Sequence, residues 1–129
     1  MMVVGIKNCS TVKKALTWFD NHKIKYEFFD LKKEALDQAT LTAWVKKLPN
    51  HLTWDMLINK SGMTWRNLTD REKKLGDKKE TAIQLIIEKP TVMKRPLVAI
   101  DKKVVSLGFD EATFKQLFKN KNDQNIRTR

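Results

Sequence analysis

One cysteine, Cys9, sits where the apolar run Val3-Val4-Gly5-Ile6 gives way through Lys7-Asn8 to a helical pattern that begins at Ser10. A thiol at such a strand-to-helix turn faces unpaired backbone N–H groups and the positive end of the helix dipole. Both favour thiolate over thiol. The implied chemistry is nucleophilic attack by sulfur, with Lys7, Lys13 and Arg95 as cations that assist it. An anionic substrate needs guanidinium groups, which pair with oxyanions in bidentate fashion, and Arg95, just ahead of Pro96, and Arg66 are the candidates. A lone cysteine is more often a buried, inert residue. Here the turn and the polar neighbours Asn8 and Ser10 favour a reactive one, with Asn8 suited to shape the loop through a bond to backbone.

A single thiol excludes an intramolecular disulfide and a cysteine-based metal site, and it points to a reducing, cytoplasmic compartment. His22 and His51 lie far apart, lack metal-ligand spacing and are expected to be exposed. No apolar run reaches transmembrane length, and Met2–Ile6 is too short for a signal peptide's apolar region, so neither membrane nor secretion is expected. The 26 Lys and Arg against 15 Asp and Glu give a net charge of +11, which raises the question of nucleic acid. The lysines are spread along the whole chain, and no zinc-finger spacing or RNA-binding aromatic motif accompanies them, so specific nucleic-acid binding is not expected. An anionic partner, small or large, remains open.

The elements that position these residues follow from periodicity. Met2–Ile6 reads as a buried strand. Val12, Ala15, Leu16 and Phe19 form the apolar stripe of a helix from Ser10 that ends near Asn21–Lys23, and Tyr26–Leu31 is a second strand, parallel to the first. Leu41, Trp44, Val45 and Leu48 repeat the helical spacing, with Thr40 as a candidate N-cap and Pro49 as a stop. Thr53–Ile58 is a further short helix, Thr69 and Glu72 have capping-box spacing, and Ala82–Ile87 gives a strongly apolar helix that cannot pass Pro90. Trp44, Trp54 and Trp65 are the expected core of this helical region. Leu97–Ile100 and Val104–Leu107 form a hairpin around Asp101-Lys102-Lys103, and Asp110 caps a last helix that turns Phe114, Leu117 and Phe118 inward.

The order is strand, helix, strand, several helices, hairpin, helix, an α/β arrangement of thioredoxin-like type. Residues 1–119 are expected to form one domain, with a core of 1–33 and 90–119, an all-helical insertion over 34–89, and a basic tail without order over 120–129. Gly5-Ile6-Lys7-Asn8-Cys9 with Thr11–Ala15, the Thr64-Trp65-Arg66-Asn67-Leu68 segment, Lys89-Pro90 with Lys94-Arg95-Pro96-Leu97-Val98, and Gly108-Phe109-Asp110 carry a resemblance. Together they resemble the arsenate reductase (glutaredoxin-type) and Spx superfamily, most closely its YffB-type branch.

The resemblance implies that Cys9 is the catalytic nucleophile, that Arg95 binds the oxyanion, and that Pro96 is cis and faces the thiol. Arg66 resembles the second anion-binding arginine. It also implies a glutathione-dependent thiol oxidoreductase with no bound cofactor or metal, glutathione as co-substrate, glutaredoxin as a partner, and a monomeric protein. Two departures from the family pattern matter. Where Spx proteins and thioredoxins have a second cysteine, this chain has Val12, so the resolving thiol must come from outside. Where arsenate reductases have a third arginine, it has Ser106-Leu107-Gly108, which argues against arsenate as the natural substrate. A reading of a different class is a non-catalytic, Spx-like module that contacts RNA polymerase or another acidic protein.

Overall fold

The computed structural model describes residues 1–118. The expected tail over 120–129 lies outside the described residues. Four strands form one sheet: β1 (Met2–Gly5), β2 (Glu27–Asp30), β3 (Leu97–Ile100) and β4 (Lys103–Leu107), in the order β2-β1-β3-β4. β1 pairs parallel with β2, joined through helix α1 (Ser10–Asn21), and antiparallel with β3, which in turn pairs antiparallel with β4. Between β2 and β3 the chain forms α2 (Gln38–Lys46), α3 (Met63–Arg66), α4 (Asp70–Lys74) and α5 (Lys79–Glu88), with 3-10 turns at Trp54–Leu57, Leu75–Asp77 and Pro90–Val92. A last helix, α6, covers residues 111–118.

The strand period of two sends neighbouring residues to opposite faces, and each face has its own core. Val3 and Val98 pack with Ala15, Trp18 and Phe19 of α1 and with Phe114 and Phe118 of α6. Val4, Leu97, Ala99 and Val104 pack on the other side with Leu41, Trp44 and Val45 of α2 and with Ala82, Ile83, Leu85 and Ile86 of α5. The helices between β2 and β3 therefore cover the sheet's second face. They are not wholly helical company: Ile58 pairs with Met93 in an isolated antiparallel bridge, with Asn59 N–H donating to the Val92 carbonyl and Lys94 N–H to the Leu57 carbonyl.

Several local expectations shift for identifiable reasons. The cap of α2 is Asp37, not Thr40, because its carboxylate accepts both the Thr40 N–H, at 2.7 Å, and the Thr40 hydroxyl, at 3.1 Å. On α1 it is Trp18, rather than Leu16, that is fully drawn inside, since its ring meets Phe114 edge-on at 5.4 Å between the two helices. Trp44 is buried, whereas Trp54 and Trp65 are half-buried against the same core. The hairpin loop has two residues rather than three, Asp101 and Lys102, both at positive φ, while Lys103 joins the strand.

Helix α1 ends where expected, and the reason is a paired hydrogen-bond closure. Ile24 N–H reaches the Phe19 carbonyl at 2.9 Å and Lys23 N–H reaches the Asp20 carbonyl at 3.1 Å, with Lys23 at φ 57°. That is a Schellman ending with lysine where glycine is the usual choice, reinforced by burial of both Phe19 and Ile24 in one cluster. Thr69 and Glu72 complete the capping box read from the sequence, each side chain accepting from the other's backbone N–H. Gly5 lets β1 approach α1 closely: a Cβ there would stand 2.8 Å from Val12 Cγ2.

Candidate functional site

Cys9 is the N-cap of α1, with extended backbone at φ −108° and ψ 123° and no side-chain cap bond. The first turn of α1 contains no acidic residue. Its Cys9 carbonyl accepts the Lys13 N–H at 2.9 Å, so the amides of Ser10, Thr11 and Val12 precede the first internal bond and remain directed at the helix entrance. The thiol is free and half-buried, packed against the core that contains Val4 and Ile6. Asn8, Lys7 and Lys13 are exposed. Among the described residues the Asn8 side chain makes no hydrogen bond, so its expected loop-shaping bond to backbone is absent.

Strand register brings the second half of the site to the same end of the sheet. Val4 pairs with Leu97, so the chain leaves β1 toward Cys9 at the edge where it enters β3 from Pro96. The Arg95-Pro96 peptide is cis, and the Pro96 carbonyl accepts the Gly108 N–H at 2.8 Å. Gly108 stands at φ 78°, a conformation that suits glycine, and it also lies against the Lys94 side chain.

The guanidinium of Arg95 is turned back on the preceding turn. Its Nη1 donates to the Thr91 carbonyl at 2.6 Å and to the Met93 carbonyl at 3.3 Å, while Nε is buried and meets no acceptor among the described residues. Both bonds use one nitrogen, which leaves the Nε/Nη2 edge as the one suited to a bidentate oxyanion.

Arg66 ends α3 and is exposed, with Nη2 at 3.3 Å from the Met63 Sδ. Helix α3 is joined to the turn that holds Arg95 by a hydroxyl pair, Thr64 Oγ1 and Thr91 Oγ1 at 2.8 Å. Thr91 thus contacts both arginine-bearing segments: its side chain ties α3, and its carbonyl receives Arg95. Nothing in the sequence signalled their pairing, because the two threonines are 27 residues apart and each alone reads as an ordinary helix-end or turn residue.

The two histidines contact other parts of the fold. His22 is exposed, stacked on Trp18 at 3.9 Å, and its Nδ1 lies 2.8 Å from the Trp18 carbonyl. His51 is exposed, with Nε2 at 3.2 Å from the Val105 carbonyl. Among the described residues no three His, Cys, Asp or Glu side chains gather as metal ligands, and no helix is long and apolar enough to cross a membrane. A mainly apolar cleft of about 590 Å³, lined by Met2, Ala43, Trp44 and Ala99 among others, lies at the opposite end of β1 from Cys9.

The ArsC family model matches residues 4–117, a span that takes in Cys9, Arg66, Arg95 and Pro96. The chain belongs to the ArsC family. A Haemophilus influenzae protein without an assigned function is 40% identical over 116 residues, 90% of this chain and 96% of its own length. The global transcriptional regulator Spx of Streptococcus agalactiae is 24% identical over 104 residues, 81% of this chain and 72% of the relative.

Two solved structures extend the ArsC likeness to the whole fold. The YffB (PA3664) protein is 32% identical with a TM-score of 0.77, over 89% of this chain and 96% of that one. An arsenate reductase (ArsC) related protein from Brucella melitensis is 37% identical with a TM-score of 0.69, over 92% and 93%. The YffB-type branch and the thioredoxin-like fold read from the sequence are therefore those of the structure.

Proposed function

We propose that this ArsC family protein is a glutathione-dependent thiol oxidoreductase in which Cys9 is the nucleophile. Cys9 thiolate attacks one sulfur of a glutathione-bearing disulfide, the S–S bond breaks, and the other thiolate leaves, so Cys9 carries the mixed disulfide. A second glutathione thiolate then attacks the glutathione sulfur, regenerating Cys9 and releasing oxidised glutathione. The anionic groups of the substrate rest on the Nε/Nη2 edge of Arg95 and on Arg66, while the α1 amides face the reacting sulfur. Pro96 shapes the entrance, and the exposed Asn8 precedes the thiol. The observation that carries this reading is the Arg95 guanidinium, fixed through Nη1 alone with its Nε buried and unpartnered.

The same reading makes glutathione a co-substrate rather than a resident cofactor, with glutaredoxin or a small oxyanion as further partners. It also makes residues 1–119 one monomeric, cytoplasmic domain carrying a helical insertion. Intact-mass spectrometry after incubation with oxidised glutathione tests it. A single glutathione adduct is expected on the parent protein and none on Cys9→Ser; an unmodified parent at millimolar oxidised glutathione refutes it.

A second reading, a non-catalytic module that binds RNA polymerase or another acidic protein, is favoured by the likeness to Spx and by the net charge of +11. It requires Cys9→Ser to retain full binding in a salt-sensitive pull-down with RNA polymerase.

A further inference from the structure

Met63 and Met56 are the exposed large apolar side chains of the described residues, at 65% and 44% exposure, whereas Met93 is fully buried. Only Met63 is bonded to a cation. Met63 opens α3 and Arg66 closes it, an i, i+3 spacing that puts both on one helical face, and the guanidinium Nη2 donates to the thioether Sδ at 3.3 Å. A thioether is a weak acceptor, so this contact leaves Arg66 available. Among the described residues no carboxylate pairs with it, since the ion pair they form joins Lys89 to Glu72.

We propose that Met63 is a methionine-oxidation site whose sulfoxide retains Arg66 and withdraws it from an incoming anion; this rests on the assignment of Arg66 to anion binding. Hydrogen peroxide supplies the oxygen: its O–O bond breaks, the Met63 sulfur loses two electrons and gains the oxygen, and water leaves. The product replaces a weak sulfur acceptor by a polar S–O oxygen against a charged donor, a pairing markedly stronger than the original. Exposure favours Met63 as the first methionine to react, and Met93 is protected. Helix α3 itself stays in place, because the Thr64–Thr91 pair holds it to the Pro90–Val92 turn. Two thiols reverse the change by giving two electrons and becoming a disulfide while the sulfoxide oxygen leaves as water, so the device is a reversible brake on the site under oxidising conditions.

The test uses Cys9→Ser protein, which keeps peroxide chemistry off the thiol. After graded peroxide treatment, peptide mass spectrometry reports each methionine, phenylglyoxal labelling reports how available Arg66 is, and calorimetry with arsenate as the probe reports anion binding. Expected are Met63 sulfoxide ahead of Met56, Met93 unchanged, Arg66 labelling slowed about three- to fivefold, and arsenate binding weakened by a similar factor. With Met63→Leu, peroxide is expected to leave both readouts unchanged. Oxidation of Met56 first, or Arg66 labelling that ignores Met63 oxidation, overturns the proposal. Slowed labelling with unaltered arsenate binding overturns instead the assignment of Arg66 to the anion.

Discussion

Replacing Thr91 by valine removes one hydroxyl and keeps the branched shape, so it interrogates the bond that joins the two arginine-bearing segments. The Thr64–Thr91 contact is a 2.8 Å bond between two half-buried hydroxyls, worth about 1 kcal/mol net. The Pro90–Val92 turn is independently held by Val92 N–H on the Lys89 carbonyl and by Asn59 N–H on the Val92 carbonyl. Arg95 therefore keeps its carbonyl partners, and the freed element is α3 with Arg66. Thr91→Val is expected to lower Tm by about 4 °C. Loss of oxyanion affinity is bounded by the energy of the broken bond, about fivefold. The Thr64→Val/Thr91→Val pair leaves no lone hydroxyl, so in a double-mutant cycle the second substitution is expected to be nearly neutral, with a coupling of about 1 kcal/mol. Thermal melts give the stability term, and calorimetric titration of arsenate gives the affinity term. Additive losses in the cycle, or an affinity loss far above tenfold, refute the reasoning, the latter because Arg95 must then have moved as well.

Lys23→Gly relieves the left-handed conformation at the end of α1 and is expected to stabilise by about 1 kcal/mol, seen as a higher urea midpoint. Gly5→Ala places a methyl 2.8 Å from Val12 Cγ2, and overpacking of this kind costs about 1–3 kcal/mol. Adding Val12→Ala should recover part of that loss, so strictly additive urea midpoints would exclude the clash. Asp37 is held below the ordinary carboxylate range, chiefly by the Thr40 N–H and then by its hydroxyl. A folded-state value below the unfolded one makes its contribution complete above the unfolded pKa and lost as pH falls through the folded one. Asp37→Asn keeps a capping oxygen but cannot titrate, so its stability should fall less than the parent's between pH 5 and pH 2.5, as followed by urea melts.

The periodic elements were legible because their causes are local. The stripe on α1, the Thr69–Glu72 box and the stop at Pro90 each depend on residues within one or two turns. Misplaced details had competitors that local spacing does not rank. Asp37 and Thr40 are both good caps, and the tie is broken by which one can accept from the other. Trp18 outranks Leu16 because α6, nearly a hundred residues later, brings Phe114 against it. The position of Cys9 at a helix entrance was legible, since the strand, turn and helix that put it there are local. The pairing of Cys9 with Arg95-Pro96 was carried by motif resemblance, and the Val4–Leu97 register puts the two segments at the same end of the sheet. Thr64, Thr91 and Met63 were not legible, because their roles exist only once α3 lies beside the turn before β3.

The central place of β1 has a consequence for how the site comes into being. Its parallel partner β2 follows within a single α1 crossover, but its other neighbour, β3, is separated by roughly ninety residues. During synthesis, β1, α1 and β2 leave the ribosome together, with one edge of β1 and the apolar face of Val4 still uncovered. Cys9 is then a thiol at a helix entrance with neither Arg95 nor Pro96 beside it. Pairings so distant along the chain form late and slowly. The arrival of β3, followed by β4, closes that edge of β1 and brings Arg95-Pro96 to the end of the sheet where Cys9 stands.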